Sequence, residues 1–288
     1  MNIKLLNLAA VALLLGLTAC NKEEAPSQEQ VPANAVQITA SVGNPFTRSS
    51  PLGTVEEQAT FSSGDKILVY RRVVGSTFKV AYELDGATWA PVQSKYLLWV
   101  NDVETFSAHY PIGYSNFAET SVNLDQSTLD KIALSDLMSD TIVDAPRGQL
   151  LNFVMKRQTS RIIVKIAKFN AEFPIGSKVA DVRVVGFEDN PGDETIHDFI
   201  PYTQEDGALN STYTLLLQPL DYDTYHIKLK VGEKEMRTAV FPTLEKGKSY
   251  TFNLVVGKEK LEIESITVAD WTGTVTLPDD RAEETFRS

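Results

Sequence analysis

From Val36 onward, apolar side chains recur at every second position in short runs, which is the period of a strand with one face buried. Val36, Ile38, Ala40 and Val42 alternate with Gln37, Thr39 and Ser41, and the run stops at Gly43-Asn44-Pro45. The same reading predicts strands over 66–72, 78–84, 96–100, 105–110, 150–157 and 161–169. It continues with strands over 179–187, 213–218, 225–231, 236–241, 249–256 and 261–268. One helix is expected over 127–137, where Leu129, Ile132, Ala133 and Leu137 repeat at helical spacing behind Ser127 as N-cap.

Short strands without long helical periods between them point to an all-β fold of antiparallel sandwiches and away from a parallel α/β sheet. The body is long enough for one large domain or two ordinary ones. The stretch 170–178, with Pro174 and Gly176 between two strong strands, is expected to be the joint; 143–148, with Pro146, competes with it. The expected organisation is therefore a leader at 1–19, a tether and first strand at 20–48, one sandwich at 49–170 and a second at 171–288.

The N-terminal end follows different rules. Lys4 precedes an apolar run from Leu5 to Leu17, then Thr18, Ala19 and Cys20, the pattern of a signal peptide that is too short for a membrane span. Cys20 is the one cysteine of the chain, so a disulfide within it is excluded. Residues 21–34, rich in Gln, Glu, Pro and Ala, read as a solvated tether.

Charge narrows the partners. Without Lys4, 26 basic residues face 38 acidic ones, a net charge of −12. No basic, aromatic-interleaved cluster offsets that, and nucleic acid is excluded as a partner.

Chemistry-bearing patterns are scarce. The sequence has no Gly-x-Ser-x-Gly turn, and His109, His197 and His226 lie far apart with no cysteine to join them. Asp189 with Asp193, and Asp221 with Asp223, are read as turn residues before cation ligands. Trp89, Trp99 and Trp271 are read as core. No enzyme, metal or cofactor is expected.

Several short segments stand in a telling order: Leu17-Thr18-Ala19-Cys20, which resembles a lipobox; Phe46-Thr47-Arg48; the run from Phe61 to Val69; Thr88-Trp89; and Phe106 to Pro111. Asp136-Leu137-Met138, Leu151 to Arg157 running into Arg161 to Val164, Lys246 to Leu254 and Ile266 to Trp271 follow. Taken together they resemble the fimbrillin family, the subunits of type V pili of Bacteroidetes-type bacteria. Lys156 stands where many relatives carry histidine, and 136–140 lacks the usual Tyr-Ala ending. Asn21 to Glu24 resembles a surface-export signal, and Asp140-Thr141-Ile142 an O-glycosylation acceptor.

The resemblance implies two tandem antiparallel sandwiches of the transthyretin-like, Greek-key kind with one or two short helices. It implies diacylglycerol and further acyl chains on Cys20, with two or three chains making membrane retention durable. It also implies a fimbrial subunit at the outer membrane and cell surface. An arginine-specific protease would cut between Arg48 and Ser49, and the strand carrying Val36, Ile38, Ala40 and Val42 would leave. Another subunit's C-terminal strand would replace it; the equivalent donor here is 266–277, with Val268, Trp271, Val275 and Leu277 as groove-filling residues. Losing a strand exposes apolar surface and a row of unpaired peptide groups, and refilling about five apolar positions is worth ~10 kcal/mol before ordering costs. Arg71-Arg72 is a rival cleavage site, less accessible because it adjoins a strand. The alternative function is a monomeric surface lipoprotein that binds a glycan or a host ligand.

Overall fold

The computed structural model describes residues 31–43, 52, 60–73, 76–112, 122–190, 193–219 and 223–271. Its first part contains β1 (Ile38–Val42), β2 (Lys66–Val73), β3 (Ser76–Asp85), β4 (Thr88–Pro91), β5 (Val103–Tyr110), α1 (Leu129–Ala133), β6 (Met138–Pro146) and β7 (Leu151–Arg157). The seven strands form one sheet in the order β1-β7-β6-β5-β2-β3-β4. Alternation builds its inner face: along β7, Leu151, Phe153 and Met155 point inward while Asn152, Val154 and Lys156 face out. They meet Ile67, Val69, Tyr82, Trp89, Trp99 and Phe106 in one core.

The sheet curls until its edges approach, and the Trp89 indole on β4 reaches the β1 carbonyl of Ala40 at 3.4 Å. This nearly closed sheet replaces the expected first sandwich. The N-terminal strand pairs with β7 in parallel, Ile38 opposite Leu151 through Val42 opposite Met155. A parallel pair needs a long crossover, and here the chain makes five strands between the two partners before β7 is reached.

The second part contains β8 (Ser160–Phe169), β9 (Ala180–Asn190), β10 (Asp193–Phe199), β11 (Thr212–Leu217), β12 (Asp223–Val231), β13 (Lys234–Arg237), β14 (Lys248–Val256) and β15 (Leu261–Asp270). They form two four-stranded sheets, β10-β9-β12-β13 and β11-β8-β14-β15. Inward residues of both sheets, among them Ile162, Val184, Leu215, Ile227 and Phe252, share one core. The first sheet is antiparallel throughout, whereas β8 and β14 pair in parallel, again against the antiparallel expectation. Residues 170–178 connect β8 to β9, two strands of this same core.

The helix is shorter than its periodicity predicts. Thr128, not Ser127, caps α1 by accepting a hydrogen bond from the Lys131 amide. Beyond Leu134 the chain turns, and Asp136 and Leu137 lie buried before β6 begins.

Candidate functional site

The N-terminal strand is built into the first core from two sides. On one side runs β7: the Leu151 amide donates to the Gln37 carbonyl at 3.0 Å, and the Gly43 amide donates to the Met155 carbonyl at 2.6 Å. On the other side the segment 97–99 pairs antiparallel with 34–36; the Val36 amide donates to Leu97 at 2.8 Å, and the Trp99 amide donates to Asn34 at 2.9 Å. Past Val36 that second strand ends, and side chains take its place. The Tyr82 hydroxyl donates to the Val36 carbonyl at 3.1 Å, four residues upstream of the carbonyl held by Trp89.

The side chains of the strand fill the core beneath it. Val36, Ile38 and Val42 retain 2, 5 and 7 % of their exposure, and Ala40 packs against the same cluster. At roughly 1.5–3 kcal/mol per fully buried aliphatic side chain, these three contribute about 5–9 kcal/mol before the cost of ordering the segment. Their neighbours face outward, where the Thr39 hydroxyl donates to Asn152 at 2.5 Å. Burial pushes the Tyr82 phenol up to about 12, so it remains a proton donor throughout the physiological range.

Gly43 closes this seat. A Cβ there would lie 2.9 Å from Val154 Cγ1 and 3.0 Å from the Met155 carbonyl oxygen. Real Cβ atoms avoid such distances, so the residue leaving the groove has to be glycine if its neighbours are to stay in place. Tyr82, Leu97 and Trp99 fall within runs whose alternation predicts strands, and Gly43 ends the first such run; that these four residues together form the seat of β1 is what periodicity does not announce.

The other expected site residues are distributed as follows. Cys20, Arg48, Ser49, Val275 and Leu277 lie outside the described residues. Of the rival cleavage pair, Arg71 is enclosed: it retains 6 % of its exposure, its guanidinium donates to Glu104 Oε1 at 2.8 Å, and it stacks over Phe78. Arg72 is paired within β2 opposite Thr77. Val268 stands in β15 opposite Tyr250 and packs against the second core.

Trp271 is more firmly held. It is buried with Ile132 and Leu216, and Leu52 and Tyr202 pack on the same group. The guanidiniums of Arg157 and Arg161 stack on its ring at 4.4 and 5.2 Å. Arg157 is itself gripped by Asp136 through two hydrogen bonds of 2.8 Å. Burial first, and the charge of Arg157 second, lower the Arg161 guanidinium to about 10, still cationic at neutral pH.

A second concavity, of about 420 Å³, opens on the β10-β9-β12-β13 sheet among Val185, Ile196, Asp198, His226, Lys228 and Arg237. Lys228 pairs there with Glu235 at 3.1 Å. Burial, then the charges of Arg237 and Lys228, hold the His226 imidazole below its ordinary value. His109 interacts with the Tyr70 hydroxyl at 2.8 Å, and His197 lies beside Phe199, so the three histidines occupy separate places.

Comparison with known proteins agrees with this architecture. A candidate cell adhesion protein from Bacteroides uniformis superimposes with a TM-score of 0.54 at 14 % identity, over 84 % of this chain and 100 % of that one. A second, from Bacteroides ovatus, gives a TM-score of 0.55 at 16 % identity over 82 % of this chain and 95 % of that one. At such identities the likeness concerns the fold. No curated protein matches the chain by sequence. The family model described as fimbrillin-like matches residues 47–271, which is most of the sequence, and the chain therefore belongs to the fimbrillin-like family.

Proposed function

We propose that this fimbrial or adhesion subunit reaches the cell surface as a lipoprotein anchored through Cys20 and assembles by strand replacement. In this reading an arginine-specific protease cuts between Arg48 and Ser49. The segment bearing β1 then leaves with the tether, and a strand from another subunit takes the vacated place beside β7.

The observation that supports it is the way β1 is held. It is a short N-terminal ribbon, remote in sequence from β7, that completes the first core with alternate side chains and is bonded mainly through its backbone. Backbone contacts of this kind are available to any strand that keeps the in-and-out alternation, which is how β-strand addition works between chains. Enclosure of Arg71 makes one arginine of the rival pair less accessible in the folded protein.

The test is made on surface material from cells producing the wild type or Arg48→Gln. The wild-type polymer is expected to begin at Ser49 by N-terminal sequencing, and the variant to keep acylated Cys20 and stay unassembled. Assembled wild-type protein that still begins at Cys20 would overturn the proposal.

A further inference from the structure

Resting on that reading, we infer that the strand entering the β1 seat comes from a chain of different sequence and not from the C-terminal segment of a second copy. The seat specifies four apolar side chains at alternate positions, those of Val36, Ile38, Ala40 and Val42, followed at once by glycine. The glycine has two duties: its amide bonds to the Met155 carbonyl, and the space beside Val154 admits a Cβ only if the Val154 side chain and the Met155 carbonyl shift.

The residues after Trp271 do not meet this specification in any register that runs, as β1 does, parallel to β7. Along one set of alternate positions stand Thr272, Thr274, Thr276, Pro278 and Asp280; along the other, Gly273, Val275, Leu277, Asp279 and Arg281. The first set offers no aliphatic side chain. The second offers two, and three registers bring both into the seat. Placing Val275 at the position of Val36 or of Ile38 carries Asp279 into the apolar core, where an unpaired carboxylate is strongly disfavoured. Placing it at Ala40 puts Pro278 where Gly43 stands, removing the amide that bonds Met155 and adding atoms where none fit.

That last register also asks Trp271 to occupy the position of Val36. Trp271 is not available, because it retains 4 % exposure and two guanidiniums stack on its ring. Its amide donates to the Gly247 carbonyl at 2.9 Å. Drawing β15 itself into a neighbour fares no better: Asp270 follows Ile266 and Val268 at the next alternate position, and leaving would uncover Tyr250 and Phe252. The fitting occupant is an extended peptide with four alternating aliphatic residues, free of charge on that face, ending in glycine.

The experiment uses the full chain nicked between Arg48 and Ser49, with fluorescent peptides spanning Ala33 to Gly43 or Ala269 to Asp279. Capture is read by anisotropy and self-association by native mass spectrometry. The first peptide is expected to bind about 100-fold more tightly than the second, the equivalent of one lost aliphatic pocket and one lost backbone hydrogen bond. The nicked protein alone is expected to remain monomeric. Capture of the Ala269–Asp279 peptide within tenfold of the other, or a ladder of multimers that disappears when residues 272–288 are deleted, overturns the inference while leaving strand replacement intact. Capture of neither peptide overturns strand replacement and the inference together.

Discussion

Replacing Ile38 with alanine isolates the bond between β1 and the rest of the first core. Ile38 is 5 % exposed and faces inward from a strand opposite Leu151. The change removes three carbon atoms, about 2.4 kcal/mol at ~0.8 kcal/mol each, and the cavity left in a nearly closed sheet raises the loss to about 3–4 kcal/mol. If β1 opens as a unit, that energy appears in the local opening and not elsewhere. The amides of Leu151, Trp99 and Gly43 are bonded only while β1 is seated, so their hydrogen exchange should accelerate by about 160- to 900-fold. The Phe252 amide, in a strand paired on both sides within the second core, serves as the internal reference and should change little. Equal acceleration at Phe252 and Leu151 would falsify the claim that β1 is separable from the global fold, and acceleration of Leu151 below tenfold would mean that Ile38 does not seat it.

Two further changes probe the surroundings. Asp136→Asn leaves the Arg157 guanidinium buried without its countercharge, both side chains being less than 5 % exposed, and should cost about 3–5 kcal/mol in urea unfolding; a loss under 1 kcal/mol would show that the pair does not hold this region together. His226 has a folded-state value below its ordinary one, so the folded state binds its proton less readily than the unfolded chain does. Its contribution is therefore complete above about pH 6.5 and is lost as pH falls through the unfolded and then the folded value. His226→Gln should flatten the decline of stability as pH falls below about 7, and an unchanged profile would assign that decline to other groups.

How much of this was written along the chain can be judged strand by strand. Local alternation alone marks the run from Val36 to Val42, the inward face of Leu151, Phe153 and Met155, and the buried face of β8, because each has one face in a core and the period of two survives in the residue types. It passes over β6 and β10. Met138 to Pro146 mixes Ser, Asp and Thr with Ile and Val and is largely exposed, and Asp193 to Phe199 carries three acids and a histidine, so neither shows a clean apolar face. The helix ended early because Asp136 was drawn to Arg157, a partner in β7 that no local period announces.

Pairing was decided only in three dimensions. That β1 lies parallel to β7, that β8 lies parallel to β14, and that one sheet curls nearly shut follow from which hydrophobic faces find each other after long crossovers. So does the setting of Trp271, whose ring is held by arginines from β7 and β8. Residue types determine which side chains seek a core, since that preference is carried by each side chain's own contact with water; which partners share the core depends on close packing among segments far apart in the chain.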